Sequence, residues 1–177
     1  SNTDDFTLAT TGATGFTIRS GTSHDGQIAF SDGTSGADEY RGQVLYNHGG
    51  NYMRFVTDAV ERLRITSDGH VLLGTGTDYA DVNSDDVQIY STGDTGISIT
   101  SGTSHYGSIY FGDGTSGDSR NRGIVRYHHS VDAMEFWTNA GEKARIDSSG
   151  RLYLGATSGG NADTCLLYTS PSPRDAT

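Results

Sequence analysis

The amino-acid sequence repeats itself with a period of about 81 residues. Shifted by that distance it overlays on itself without a gap: residues 21–24 (GTSH) fall on 102–105 (GTSH), and residues 32–36 (DGTSG) fall on 113–117 (DGTSG). About 37 of the 81 aligned pairs are identical, which is far too many for chance or for shared low complexity. The sequence therefore predicts two copies of one structural unit, at residues 1–81 and 82–162.

The two copies retain apolar residues at alternate positions, and this spacing predicts β-strands with one buried face. The residues between the retained ones change, even with reversal of charge, as where Arg54 becomes Glu135. We predict strands near 16–20, 27–31, 41–47, 51–57, 61–66 and 70–74, and about 81 residues later in the second copy. The residues predicted to face the core of the first copy are Ile28, Phe30, Val44, Tyr46, Met53, Phe55, Ile65 and Leu73. Those predicted to be more exposed are Gln27, Arg54, Arg62 and Arg64.

Turn residues separate these runs at regular places. Residues 47–51 (NHGGN) and 57–61 (TDAVE) read as hairpin loops, and Gly69 and Gly150 stand where a short loop needs a positive φ. Residues 75–86 form a short, polar and acidic linker between the copies. No segment keeps a helical period over ten residues, so the predicted fold class is all-β, with two tandem antiparallel units.

Charge and composition exclude several classes of function. The net charge of −10 and the pI of about 4.8 disfavour binding to nucleic acid or to anionic lipid. The sequence has no apolar run approaching 18 residues, so we expect no membrane insertion. Leu, Ile, Val and Phe make up only about 18% of the chain, a share typical of chains without a core. One chain can therefore build only a thin apolar layer, which favours a homotrimer whose inner faces are buried together.

Residues 61–74 (ERLRITSDGHVLLG) resemble a motif common in bacteriophage tail fibres, which often precedes an endosialidase-type intramolecular chaperone. The second copy, 142–155, keeps Glu142 and the closing Leu-Gly but has Lys143-Ala144 where the family usually has Arg-Met. Residues 127–139 are also similar to these fibres. The resemblance implies a fibrous shaft in the extracellular virion, homotrimeric, which meets a bacterial surface glycan or protein receptor through the wider fibre. The motif carries no catalytic residue.

The last residues differ in kind from the rest. Residues 163–177 hold the single cysteine, Cys165, and both prolines, and they break the repeat. They resemble a translated sequencing adapter found on unrelated metagenomic sequences. We therefore predict that residues 163–177 are a non-native tail that packs against neither sheet. We also expect the residues before this tail to be an interior fragment of a longer protein.

Two groups of residues are candidates for a metal site. The first comprises the repeated histidines, which we interpret as turn or surface residues because no His-x-His or Cys-x-x-Cys spacing accompanies them. These histidines are His24, His48, His105, His128 and His129. The second is the loop at 32–38 (DGTSGAD) with its copy, which hints at calcium but lacks the ligand set of an EF-hand loop. A Gly-rich connection with Asp in a turn is the favoured interpretation.

Two further groups of residues, a pair of glutamates and a set of aromatic residues, are candidates for cleaving or binding glycans. Glu61 and Glu142 recur and could form a carboxylate pair of a glycan-cleaving enzyme, but each belongs to the structural motif beside an arginine. Tyr52, Tyr106, Tyr110 and Trp137 could stack on sugar rings, although cross-strand packing is favoured. We therefore predict no enzymatic activity and no catalytic, cofactor or metal site. A tailspike depolymerase and a bacterial surface adhesin remain the alternatives to a structural tail-fibre segment.

Overall fold

In a computed structural model of the chain, residues 11–155 are described. They are all-β, as predicted, and fall into two compact units that divide between Gly96 and Ile97. The predicted tail at 163–177 lies outside the described residues. Between positions 11 and 155 no helix is long and apolar enough to cross a membrane.

The first unit is a single six-stranded sheet in which the strands follow one another in chain order. Its strands are β1 (Asp25–Phe30), β2 (Gly42–Asn47), β3 (Tyr52–Thr57), β4 (Val60–Ile65), β5 (Val71–Leu73) and β6 (Val87–Ile89). Neighbouring strands are antiparallel except β5 and β6, which are parallel. A short 3₁₀ helix, Gly36–Tyr40, lies between β1 and β2.

The second unit repeats this arrangement with five strands. They are β7 (Tyr106–Phe111), β8 (Gly123–His128), β9 (Ala133–Thr138), β10 (Gly141–Ile146) and β11 (Leu152–Leu154), all antiparallel and in chain order. A 3₁₀ helix, Gly117–Arg120, again connects the first two strands. The same order of elements appears in both units, as two copies of one sequence require.

The turns explain why the hairpins close where they do. Asp58 and Ala59 have φ values of 53° and 57°, so the two-residue loop between β3 and β4 has both central residues at positive φ, as a type I′ turn requires. Asn139 and Ala140 repeat this between β9 and β10. Gly69 has a φ of 93°, which confirms the predicted need for glycine there.

Two sequence expectations about the strands are wrong. Residues 16–20 and 97–101 form no strand, because this part of the chain crosses a sheet face instead of joining an edge. Ile18 lies against Gly26, with its Cγ2 3.4 Å from where a Cβ would stand, and Ile99 lies the same way against Gly107. Conversely, the sequence does not predict β6, because three residues are too few to show an alternating pattern and β6 forms no hairpin with its partner β5.

The retained apolar residues do share one face of each sheet. Cross-strand partners form an unbroken row in the first unit, composed of Ile28, Val44, Phe55, Leu63, Leu73 and Ile89. The matching row of the second unit consists of Ile109, Val125, Phe136, Ala144 and Leu154. We call the side of each sheet that carries this row the apolar face, and the opposite side the polar face.

The predicted order of burial is wrong for several residues, although Gln27 and Arg62 are exposed as predicted. Phe55 and Phe136 on the apolar face are each 40% exposed, whereas Glu135 on the polar face is 0% exposed. Arg54 is also half-buried. The reason is that, among residues 11–155, only the irregular segments around Ile18 and Ile99 lie over the apolar faces, and they cover them in part. On the polar face, by contrast, Leu45 is buried beside long charged side chains.

Candidate functional site

The apolar face of each unit is partly exposed. Ile28 and Ile109 are 48% and 49% exposed, and the strands that carry them present no charged side chain in the apolar rows. In the second unit the face forms a groove of about 280 Å³, whose apolar lining includes Ile97, Ile99, Ile109, Val125 and Met134. Such a surface can pack against another apolar surface, and Arg126, Tyr127 and His129 also border the groove.

The polar face of the second unit is organised around the buried Glu135 carboxylate. Arg126 Nε donates to Glu135 Oε2 at 2.6 Å, and an Arg145 guanidinium nitrogen lies 2.9 Å from Oε1. His128 Nδ1 and Trp137 Nε1 complete the set at 3.2 and 3.3 Å. Burial by itself raises the pKa of Glu135, but the hydrogen bonds from Arg126 and His128 outweigh it and hold the pKa below its ordinary value.

The polar face of the first unit uses different residues at the same places. Leu45, which is 1% exposed, stands where the second unit has Arg126, and Arg54 stands where it has Glu135. Arg54 lies 3.6 Å from Glu61. Arg64 makes two hydrogen bonds of 2.8 Å to the same carboxylate. The charged side chains on each polar face are therefore paired with one another, by a different set of ion pairs in each unit.

The repeated histidines are not brought together as a metal site. His48 N donates to the carbonyl of His24, and the His48 ring packs edge-on against Tyr46. His129 and His105 repeat the backbone contact in the second unit, while His128 bonds to Glu135. The expectation of turn or surface residues fits His24, His48, His105 and His129, which lie in turns or bends. It is wrong for His128, which ends strand β8 and is half-buried.

The aspartates of the 32–38 loop are engaged in ion pairs. Arg41 lies between them, 2.7 Å from Asp38 and 3.6 Å from Asp32, and it also reaches Asp58 at 2.8 Å. In the second unit Arg122 pairs with Asp113 at 3.2 Å. A guanidinium therefore occupies the centre of the acidic group in the first unit, whereas Arg122 in the second unit contacts one aspartate and Asn139.

The recurring glutamates are paired in the same way. Glu61 bonds to Arg64, and Glu142 bonds to Arg145 at 2.8 and 2.7 Å. The exposed fraction of the Glu142 side chain is 4%. A carboxylate held by two parallel hydrogen bonds to arginine is a structural element of the sheet.

Most of the candidate aromatic residues pack on arginines. The Arg126 guanidinium lies 4.2 Å from the Tyr106 ring centre and 4.3 Å from that of Trp137. Arg64 lies 4.0 Å from the Tyr52 ring centre. Tyr110 is 55% exposed. Of the four, three are therefore engaged in cation–π contacts across strands.

One group of side chains was missed from the sequence. His70 Nδ1 lies 3.0 Å from Asp78, and His70 Nε2 lies 3.7 Å from Asp85, so the imidazole bridges two carboxylates of the linker. Among residues 11–155 this is the one group whose ligand atoms, within 4.8 Å of one another, approach the spacing of a metal site. The hydrogen bond to Asp78 raises the pKa of His70. The sequence does contain one signal for this group: His70 is replaced by Arg151 in the second copy, so the histidine is particular to the first unit.

Comparisons with known proteins leave the family open. No protein-family model matches the chain, and no curated protein matches it.

Proposed function

We propose that the chain is a structural segment of a bacteriophage tail fibre whose apolar faces pack against copies of the same chain in a homotrimer. The observation that carries the proposal is the unbroken apolar row that crosses each sheet and lies open in one chain. The resemblance of residues 61–74 and 142–155 to tail-fibre motifs supports the same assignment. The tandem repeat suits a shaft, because repeats extend a structure along one direction.

The physical argument for self-association is the burial of apolar surface. Burial is worth roughly 25 cal/mol per Å², and monomeric proteins rarely leave large contiguous apolar patches open. A sheet packed on one side only is marginally stable, and three copies around an axis would cover one another's apolar faces. The sequence offers each copy the same face, as a symmetric assembly requires.

The proposed role is mechanical and not enzymatic. The carboxylates of Glu61, Glu135 and Glu142 are all bonded to arginines, so none is free to act as an acid or a base in the arrangement described. In this proposal the segment is extracellular, belongs to the virion, and positions a receptor-binding tip. A bacterial glycan or protein receptor is met by the wider fibre.

The test is to fuse the chain to a trimerising coiled coil and compare adjacent substitutions on opposite faces. Light scattering is expected to give three times the mass of one fused chain, which is 18.8 kDa plus the fused domain. The trimer is also expected to resist proteases and to bind a hydrophobic dye only weakly. Ile28→Asp should increase dye binding and proteolysis, because it places charge on the apolar face. Gln27→Asp is the matched control, since Gln27 is exposed on the polar face of the same strand.

Two outcomes would overturn the proposal. A well-folded chain whose apolar faces stay open and dye-accessible within the fused trimer would rule out the homotrimeric interface. Release of reducing ends from capsule or lipopolysaccharide by the chain would instead favour a depolymerase.

A further inference from the structure

Strand β6 belongs to one repeat by sequence and to the other by structure. Val87–Ile89 lies in the second repeat, 82–162, yet it pairs in parallel with β5 at the end of the first sheet. Val71 N donates to the carbonyl of Asp86 at 2.8 Å, on the edge of β5 that faces β6. The first sheet is therefore completed by the opening strand of the repeat that follows it.

Specific contacts hold β6 in this place. The side chain of Gln88, which is 9% exposed, accepts a hydrogen bond from Tyr79 N at 2.6 Å and donates one to the Thr77 carbonyl at 3.0 Å. At the end of β5, Gly74 has a φ of 83°, and a Cβ there would overlap the carbonyl oxygen of Tyr90. Only glycine allows the chain beyond β6 to approach so closely.

The second sheet has the same edge without the strand. β11 corresponds to β5, and in residues 11–155 no strand pairs with its outer edge. Leu152 and Leu154 are 47% and 38% exposed. Gly155, the counterpart of Gly74, keeps a positive φ of 73°, although no atom of residues 11–155 lies within 4 Å of the place where its Cβ would stand. The edge is thus shaped for a neighbour that this sheet does not contain in the described part of the chain.

We propose that the outer edge of β11 is a docking site for the opening strand of a directly following copy of the repeat. That strand would pair in parallel, with the residue equivalent to Val87 beside Leu152, as Val87 lies beside Val71. Each repeat then completes the sheet of the repeat before it. Consecutive repeats are joined by a shared sheet as well as by a linker, and pulling them apart requires breaking backbone hydrogen bonds.

The residues at the equivalent place in this chain lack the required pattern. Positions 168–170 read Tyr-Thr-Ser, where β6 reads Val-Gln-Ile, so both the second apolar residue and the glutamine are replaced. This difference supplies an experiment. Residues 163–177 of the full chain are replaced by the sequence of 82–96, which keeps the spacing between the two strands.

Hydrogen exchange of the Leu152 and Leu154 amides is the readout. We expect the grafted chain to exchange about tenfold more slowly there than the original chain, and the melting temperature reported by Trp137 fluorescence to rise. The matched control carries Ser-Gly-Ser at the grafted positions of Val87, Gln88 and Ile89, and it should resemble the original chain. Unchanged exchange in the grafted chain would overturn the proposal. So would protection that grows with protein concentration, because the strand would then come from another molecule.

A second measurement tests the proposal even if the grafted chain fails to fold. A peptide with the sequence of 82–96 is added at millimolar concentration to the original chain, and amide chemical shifts are followed. Changes confined to residues 152–155 would support docking at this edge. An absence of changes there would contradict it.

Discussion

Arg126 and Glu135 face each other across β8 and β9 and form an ion pair with an Nε–Oε2 distance of 2.6 Å. The same two places in the first unit hold Leu45 and Arg54, which are also direct cross-strand partners. The charge reversal between Arg54 and Glu135 is therefore accompanied by a change in the residue it faces. At these two places, which are in direct cross-strand contact, the two copies differ together.

This coupling can be tested by transplanting the pair. Arg126→Leu should destabilise the second unit by about 3 kcal/mol, because it leaves the buried Glu135 carboxylate with one cation fewer. Adding Glu135→Arg, which reproduces the Leu45–Arg54 pair, should recover most of the loss. Urea unfolding followed through the only tryptophan, Trp137 in β9, measures both. A double variant no more stable than Arg126→Leu would argue against coupling.

A second prediction concerns the turn between β9 and β10. Ala140 has a φ of 54°, a conformation that costs an L-residue with a Cβ more than glycine. Ala140→Gly should stabilise the second unit by about 0.5–1 kcal/mol, as measured by thermal unfolding. Ala144→Gly in the strand β10 is the control and should destabilise it. Equal effects of the two substitutions would contradict the assigned turn.

His70 makes the stability of the first unit depend on pH above 6.5. Its pKa is raised above the ordinary 6.5 chiefly by the hydrogen bond to Asp78, with help from the charge of Asp85. The resulting stabilisation is present in full below pH 6.5 and is lost as the pH rises through the raised pKa. We expect the Gln88 amide to exchange faster as the pH passes that value, after correction for intrinsic exchange. In the His70→Gln variant the corrected rate should not change with pH.

Asp147 makes the second unit sensitive to acid. The backbone N–H and side chain of Arg151 are the main groups that lower the pKa of Asp147 to about 2, and the N–H of Ser149 contributes. The stabilisation is therefore present above the ordinary value of 3.8 and is lost as the pH falls towards 2. Trp137 fluorescence should report a steeper loss of stability in acid for the original chain than for Asp147→Asn. Identical acid profiles would contradict this assignment.

Much of the fold follows from the sequence by itself. The repeat predicts two like units, and the alternation of Val44, Tyr46, Met53 and Phe55 predicts which residues share a face, because side chains in a strand alternate with a period of two. Gly69 predicts a positive φ, since glycine is the residue that adopts it without strain. These are local properties, and the sequence records them directly.

The tertiary structure alone decided which face is covered and where each sheet ends. Burial depends on what lies above a face, and the arginines and glutamates around Leu45 and Glu135 close the polar face through ion pairs that no spacing in the sequence announces. The pairing of β6 with β5 likewise joins residues from different repeats. Such contacts depend on distance in space, whereas a repeat pattern records only distance along the chain.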